Sequence, residues 1–501
     1  MQYLDIVYFL VYIQIMEQNA IIGRTYEQKL LKDYFDSPKS ELVAVYGRRR
    51  IGKTYLIKKF FDEKFDFWFT GIYDTKKPVL LKQFGMELSK YSGLPVKNPK
   101  DWFEAFNSLS EYLLSLNKEK VTVFLDELPW LDTPKSNFLQ AFSYFWNMWH
   151  SDKTKLKLFV CGSATTWMLD KFVGDKGGLY GRVSRAIYLS PFTLGETEKF
   201  LNEIKGIVLN RHQILELYMI LGGIPYYLDM LKKDIPLATN IDYLFFKEGA
   251  PLKPEYNFLF RSLFKESKSY RKIIEILSKK LAGMTRGDLL EAAKMQKGGG
   301  LTEILETLCA CDFVRKYTAI GKSERDAIYQ LTDLFSLFYL RFVENDNSQD
   351  QNFWSNMSSS GSKNAWAGYA FEQVCLHHIT QIKSKLSILG VLSSTYSWQC
   401  KPFTDKDGTE WKGGQIDMLI DRKDQVINIC EMKYSADEYA ITEEYEKKLR
   451  QRANLFRYVT KTKKALQHTF ITTYGVRQNL YSGIVQSEVT MNDLFRLEFL
   501  T

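Results

Sequence analysis

The chain has 501 residues and a formal net charge of +9. That length exceeds one ordinary core and points to about three or four domains. A hydrophobic content of 45% and an aromatic content of 15% exclude a disordered chain. The positive charge is mild for this size: it is compatible with nucleic-acid binding but does not require it.

Cys161, Cys309, Cys311, Cys375, Cys400 and Cys430 are scattered through apolar surroundings. Only Cys309 and Cys311 lie close together, without a second pair at zinc-ligand spacing, so buried free thiols in a reducing compartment are expected. The five histidines form no ligand constellation, and His377-His378 are expected on a helix surface. Residues 1–15 are apolar and aromatic. They lack a basic flank, contain Asp5 and are too short to span a bilayer, so neither a signal peptide nor a membrane span is expected. Met16 is an alternative start, and residues 1–20 are taken as an extension. A cytoplasmic protein is expected.

In chain order, Ile21-Ile22-Gly23-Arg24 with Glu27 and Leu30-Leu31 precedes a short apolar run, residues 42–46, that reads as a buried strand. Then comes Gly47-Arg48-Arg49-Arg50-Ile51-Gly52-Lys53-Thr54, which fits the Walker A pattern, and a helix start at residues 55–61. Strand, glycine turn and helix are what such a loop requires, because backbone N–H groups curl around phosphate oxygens at a helix N-terminus. The whole loop, Gly47 to Thr54, is therefore expected to hold a nucleoside triphosphate, ATP. Lys53 would neutralise the β- and γ-phosphates, and the Thr54 hydroxyl would ligate Mg²⁺. The three arginines have no assigned role beyond raising the local potential for anions.

Residues 102–116 read as an amphipathic helix with apolar positions at Phe103, Phe106, Leu109, Leu113 and Leu114. Residues 121–127 form an apolar strand ending in Asp126-Glu127, a Walker B pattern. Asp126 is expected to hold Mg²⁺ and Glu127 to activate the attacking water. The bland alternative is a buried strand leaving into a turn at Pro129. Residues 156–163 are a further core strand ending at Ser163. Tyr180-Gly181-Arg182 and Ser184-Arg185 follow; either arginine could act in cis, or in trans within a homo-oligomer, or belong to a solvated loop.

After Pro191 the pattern is helical and is interrupted at Leu221-Gly222-Gly223-Ile224-Pro225. A helix at 270–280, a Thr285-capped helix to about 295 and a third at 301–310 follow. Two short β runs, 313–317 and 327–331, are joined by Gly321-Lys322-Ser323-Glu324. This order is that of a winged helix-turn-helix. Its third helix offers Thr302, Glu303 and Glu306 instead of basic residues, leaving DNA contact and a spacer role evenly balanced. Residues 344–363, with Ser358 to Ser362 at the centre, read as a linker.

The last domain opens with a helix carrying Phe371-Glu372. Residues 413–420 and 426–433 read as hairpin strands with a turn at 421–424. Strand alternation puts Glu431 and Lys433 on one face, beside Asp417. This matches a PD-(D/E)xK arrangement, in which Asp417 and Glu431 would share Mg²⁺ and Lys433 would position the attacking water. An exposed hairpin with salt-bridging charges is the alternative.

Taken with Cys161-Gly162-Ser163 and Leu331-Thr332-Asp333-Leu334-Phe335, these motifs resemble a bacterial and archaeal group of AAA/STAND-related P-loop ATPases. Those proteins end in a restriction-endonuclease-like domain of unknown function. The resemblance runs from about Ile21 to the C-terminus. It implies that Gly23, Arg24 and Glu27 flank the adenine pocket, with a simple helix start as the equal alternative; that Ser163 reads the γ-phosphate; and that Gly222 to Pro225 approach the nucleotide from a helical lid, with an ordinary interhelical turn as the alternative. The expected architecture is multidomain α/β: an extension (1–20), a P-loop NTPase α/β core (21–195), a helical lid (196–262), a winged helix (263–343), a linker (344–365) and a restriction-endonuclease-like domain (366–501). The expected function is a Mg-dependent ATPase whose nucleotide state controls a nuclease-like, DNA-acting domain. A non-enzymatic ATP-gated switch and a DNA-binding platform without nuclease activity are the alternatives.

Overall fold

The computed structural model describes residues 21–149, 153–163, 167–173, 179, 181–264, 266–296, 298–318, 324–357 and 361–497. The expectations for residues 1–15, the Met16 start, Tyr180, the turn at 321–323 and the serines at 358–360 lie outside them. The chain divides into two compact units, one of residues up to Pro191 and one from Phe192 onward.

The first unit is built on a parallel sheet of β1 (Glu41–Gly47), β2 (Phe67–Thr70), β3 (Lys120–Asp126), β4 (Lys155–Ser163) and β5 (Arg185–Leu189). Their order is β2-β3-β4-β1-β5. The middle strands are apolar without alternation and buried along almost their whole length, as a sheet covered on both faces demands. One covering layer is aromatic: Phe84, Trp102, Phe106, Phe138 and Phe142 are all buried. The helix Trp102–Ser115 is capped by the Asp101 carboxylate, which accepts from the Glu104 N–H at 2.9 Å. Its buried stripe is Trp102, Ala105, Phe106, Leu109 and Leu113. Phe103 and Leu114, expected on that face, are exposed because the 3.6-residue period rotates them outward.

The second unit holds helices and two further principal sheets. Helix Arg211–Leu221 ends at Gly222, and both Gly222 and Gly223 have positive φ, 70° and 67°. A Cβ on Gly223 would lie 2.3 Å from the Phe192 carbonyl oxygen, and the Gly223 carbonyl accepts from the Phe192 N–H at 2.8 Å. The turn is thus fixed by close backbone approach within this unit.

Next come helices Ser267–Ser278, Arg286–Ala292 and Gly300–Ala310. They pack with a three-stranded antiparallel sheet of β6 (Met284–Thr285), β7 (Val314–Tyr317) and β8 (Ile328–Leu331), ordered β6-β8-β7. Thr285 forms a capping box with Asp288.

The segment read as a linker is anchored. Trp354 is buried against Phe338, Phe342 and Trp366. The buried Asp242 carboxylate accepts from the Trp354 and Ser355 N–H groups at 2.7 and 3.1 Å, and from the Ser355 hydroxyl. Polar composition suggested a tether; one tryptophan and one buried acid turn it into packed structure.

A mixed sheet completes this unit: β9 (Ser393–Cys400), β12 (Gly414–Arg422), β13 (Val426–Lys433), β14 (Ala465–Thr472) and β15 (Ser487–Thr490), ordered β15-β14-β13-β12-β9. Strands β10 (Phe403–Thr404) and β11 (Glu410–Trp411) form a small separate ladder. Helix Gly361–His377 packs on β13, and helix Glu443–Thr460 packs on β12.

His378 is not on a helix surface but fully buried. Its Nε2 accepts from the Leu194 N–H at 2.9 Å, and its Nδ1 lies 2.8 Å from the Val374 carbonyl oxygen. The ring is therefore neutral, with its proton on Nδ1. Burial lowers its pKa to about 4. Because the folded value lies below the ordinary 6.5, the unfolded chain binds the extra proton first. Stability should thus fall as pH drops from about 6.5 toward 4, by roughly 3 kcal/mol in all. Urea unfolding followed across that window should show the decline. His378→Gln, which can still accept from Leu194, should reduce the slope, and an unaltered slope would count against the buried neutral ring.

Candidate functional site

The glycine-rich loop leaves the C-terminal end of β1 and enters helix Lys53–Phe60. Gly47 has φ 152°, and a Cβ there would stand 2.4 Å from the Leu189 carbonyl oxygen and 2.8 Å from the Ile51 side chain. Gly52 (φ 87°) and Arg50 (φ 74°) are also left-handed, the kind of alternation that makes a concave nest of N–H groups. Ile51 is buried beneath the loop; Arg48 is buried too, while Arg49 and Arg50 are half-buried.

Lys53 is buried, and its ammonium donates to the Arg48 carbonyl at 2.9 Å and the Gly47 carbonyl at 3.4 Å. Burial lowers its pKa, with Glu127 and Asp126 opposing that shift. The Thr54 hydroxyl donates to the Asp126 carboxylate, 3.0 Å from Oδ1 and 3.1 Å from Oδ2. The Glu127 N–H also donates to Asp126, at 2.9 Å.

Glu127 sits just beyond β3 with φ 48°. Burial raises its pKa; Lys53 pulls it back and Asp126 pushes it further up. Ser163 ends β4 directly beside Gly47 in the β1–β4 register and is buried.

Cys161 is a site residue that sequence reasoning treated only as a core thiol. Its Sγ donates to Asp126 Oδ1 at 2.6 Å and lies 3.9 Å from the Thr54 hydroxyl. Burial and the neighbouring carboxylate keep the thiol protonated, its pKa well above the ordinary value. The available signal was its place two residues before the polar end of a core strand, hence on the same side of the strand as Ser163.

Arg185 begins β5 opposite Val43, whereas the strand's other end, Leu189, lies beside Gly47. Four residues of strand put it about 13 Å from the loop end, pointing away from a role in cis. Its guanidinium bonds the Tyr26 hydroxyl at 3.1 Å, and that of Arg182 bonds the Ser143 hydroxyl at 2.7 Å.

A second constellation lies in the mixed sheet. Met418 pairs with Cys430, so Asp417 falls opposite Glu431 at the end of the β12–β13 hairpin. Asp417, Glu431, Lys433 and Glu372 all line one cleft of about 840 Å³. Gln415 donates to Asp417 at 2.6 Å. Both Glu431 oxygens are engaged: Oε1 by Arg452, Oε2 by the Tyr445 hydroxyl at 2.7 Å and by Lys433 at 3.7 Å. The expected free ligand is therefore a charge already neutralised by cations. Burial, then the Asp417 charge, push the Glu372 pKa up to about 8. Among the described residues no group of three or more His, Cys, Asp or Glu is arranged to hold a metal ion.

A parallel α/β sheet carrying a glycine loop at its carboxyl edge and an acidic strand end beside it defines a P-loop NTPase-like core. Residues 22–231 match the model of a family described as an ATPase domain predominantly from Archaea. An uncharacterised protein of Methanocaldococcus jannaschii is 27% identical over 364 residues, 72% of this chain and 77% of that one. An uncharacterised ATP-binding protein of the same organism is 44% identical over 43 residues, 9% of this chain and 73% of its own. The Walker-type ATPase of Pyrococcus abyssi aligns at 18% identity over 64% of this chain and 96% of its own, with TM-score 0.47. The ORC2 protein of Aeropyrum pernix aligns at 13% identity over 63% and 92%, with TM-score 0.41. Among the described residues no helix is long and apolar enough to cross a membrane.

Gly47→Ala forces a Cβ into the Leu189 carbonyl at a backbone angle that L residues rarely adopt. It should destabilise the first unit by about 2 kcal/mol, read as a lower urea midpoint. Gly93→Ala, whose site has open space around a left-handed φ, should cost less.

Proposed function

We propose that the chain is a Mg-dependent ATPase whose nucleotide state controls a C-terminal nuclease-like domain acting on nucleic acid, DNA first. The observation that carries the ATPase half is the contact between Thr54 and Asp126, which joins the phosphate loop to the acidic strand end. A hydroxyl and a carboxylate form a hard oxygen donor set that fits Mg²⁺. Thr54 and Asp126 would hold the ion, which when bound neutralises charge on the transferring phosphoryl group. Lys53, now satisfied by two loop carbonyls, has the reach to exchange them for phosphate oxygens. Glu127, with its pKa raised by burial, suits proton abstraction from water. Ser163, next to Gly47, is the candidate reader of the γ-phosphate.

The domain reading for the second unit rests on element order. A lid (196–262) and a winged helix (263–343) are supported by the helices and the three-stranded sheet. In that module Arg286 is spent on Thr302 and the Gly298 carbonyl, while Glu303 and Glu306 are exposed. That favours a packing role over base reading.

A restriction-endonuclease-like domain (366–501) is supported by the shared cleft of Glu372, Asp417, Glu431 and Lys433. The acid pair does not fit a metal as arranged, because Arg452 and Tyr445 hold both Glu431 oxygens; no step is derived through a metal there. This engagement favours the second reading of this domain, a nucleic-acid-binding platform.

Lys53→Ala should abolish ATP binding by titration calorimetry, and unchanged affinity would remove the loop from the site. Glu127→Gln should keep ATP affinity while slowing phosphate release by about 10²-fold or more. Equally slow release from wild type and Glu127→Gln would instead favour a binding-only switch.

A further inference from the structure

Part of the lining of the second unit's acidic cleft has no catalytic chemistry. Leu281, Ala282 and Gln330 belong to the three-stranded sheet region, yet they line the same cleft as Asp417 and Glu431. The wall is pinned: Gln330 donates to the Leu281 carbonyl at 2.7 Å, and Tyr317 donates to the Ala282 carbonyl at 3.0 Å. Arg315 donates to Gln330 at 2.6 Å, and its charge is felt at Asp417 and Glu372. The Tyr369 hydroxyl, donating to the Leu331 carbonyl at 3.0 Å, ties the wall to the helix that carries Glu372.

Other residues of the same lining have different chemistry. Trp411 lines the cleft and stacks on Tyr458, with ring centroids 4.9 Å apart and planes 26° apart. Lys412 is exposed beside it, and Lys448, Gln451 and Asn454 of helix Glu443–Thr460 line the cleft as well. Lys448 pairs with the exposed Glu444, an ion pair of little strength in water. The Trp411 indole N–H donates to Asp405 at 3.1 Å and Glu410 lines the cleft beside it; an aromatic ring with lysines near it is what sequence-tolerant strand binding uses, bases on the rings and phosphates on the cations.

Size decides between the two forms of nucleic acid. A volume of about 840 Å³ lies in the range of small-ligand clefts. It admits a few nucleotide units whose bases are splayed and is too small to take in a rigid duplex. Resting on the reading of this domain as nucleic-acid-acting, we infer that the cleft takes a single-stranded polynucleotide and excludes duplex. The strand's bases meet Trp411 and its phosphates meet Lys412 and Lys448.

Fluorescence anisotropy on the full-length protein, without divalent metal, tests this with labelled dT12, rU12 and a twelve-base-pair duplex. The dT12 strand should bind at least ten-fold tighter than the duplex, and rU12 shows whether the sugar matters. Trp411→Ala should weaken strand binding about ten-fold, Trp411→Phe should restore most of it, and Lys412→Ala with Lys448→Ala should flatten its salt dependence. Melting temperatures of the variants separate lost binding from lost folding. Equal affinity for strand and duplex, no binding of either, or strand binding indifferent to Trp411 and both lysines overturns the inference. Adding Mn²⁺ tests the underlying reading separately. Strand binding without cleavage leaves the inference standing as a platform, whereas Asp417-dependent cleavage of duplex with no strand preference keeps the nuclease reading and removes the inference.

Discussion

The hydrogen bond from Thr54 to Asp126 closes the first unit's site, and the strand order makes it geometrically available. Strand β4 lies between β1 and β3, so the loop and the acid start from strands two ladder spacings apart, about 10 Å. The helix that begins at Lys53 folds back over that gap and delivers the Thr54 hydroxyl to the carboxylate. The intervening strand is not idle, for it supplies Cys161 from beneath and Ser163 at its end. A buried carboxylate costs several kcal/mol unless its oxygens are satisfied. Asp126 meets that demand with a hydroxyl, a thiol and a backbone N–H, each contributed by a different part of the sheet edge.

The same rule organises the second unit. Asp242 is fully buried and receives the N–H groups of Trp354 and Ser355, which converts a polar segment into a packed connection. Glu431 is buried and receives Arg452, Tyr445 and Lys433. The Glu372 pKa rises to about 8 under burial and the Asp417 charge, against the opposing charges of Lys433 and Arg315. Asp242 and Glu431 are thus paired, and Glu372 is driven toward neutrality.

The sequence was most readable where backbone geometry and burial act locally. Residues 42–46, 121–127 and 156–163 announce themselves because doubly covered strands need unbroken apolar runs, and the loop at Gly47–Thr54 because its glycines meet backbone. Thr285 was legible as a cap for the same local reason. Contacts set by long-range register were not legible. Nothing near Cys161 in the chain says that Asp126, 35 positions earlier, will accept its thiol proton. Nothing near His378 names Leu194 as its donor. Composition misled at 344–363, where Asn, Ser and Asp outnumber apolar residues but Trp354 finds a buried aromatic cluster and Phe353 stacks on Phe246. It misled again at Glu431, because the Glu-x-Lys spacing fixes a face of β13 without revealing that Arg452 reaches the same carboxylate from the following helix.

The two acidic centres differ in the kind of partner each carboxylate has, and that difference bears on what each can bind. The hydrogen-bond donors to Asp126 are all neutral, so its negative charge is oriented but not cancelled. A divalent cation placed there would be attracted by the carboxylate, less the repulsion of the nearby Lys53 ammonium, once the Thr54 hydroxyl turns its lone pair. Glu431 is instead met by a guanidinium and an ammonium, so a cation arriving there must first displace charges of its own sign. An incoming phosphate meets the opposite situation, since it competes with the carboxylate for Arg452 and Lys433 and is drawn in by both. The two carboxylates thus differ in kind: Asp126 is held by neutral donors, Glu431 by cations.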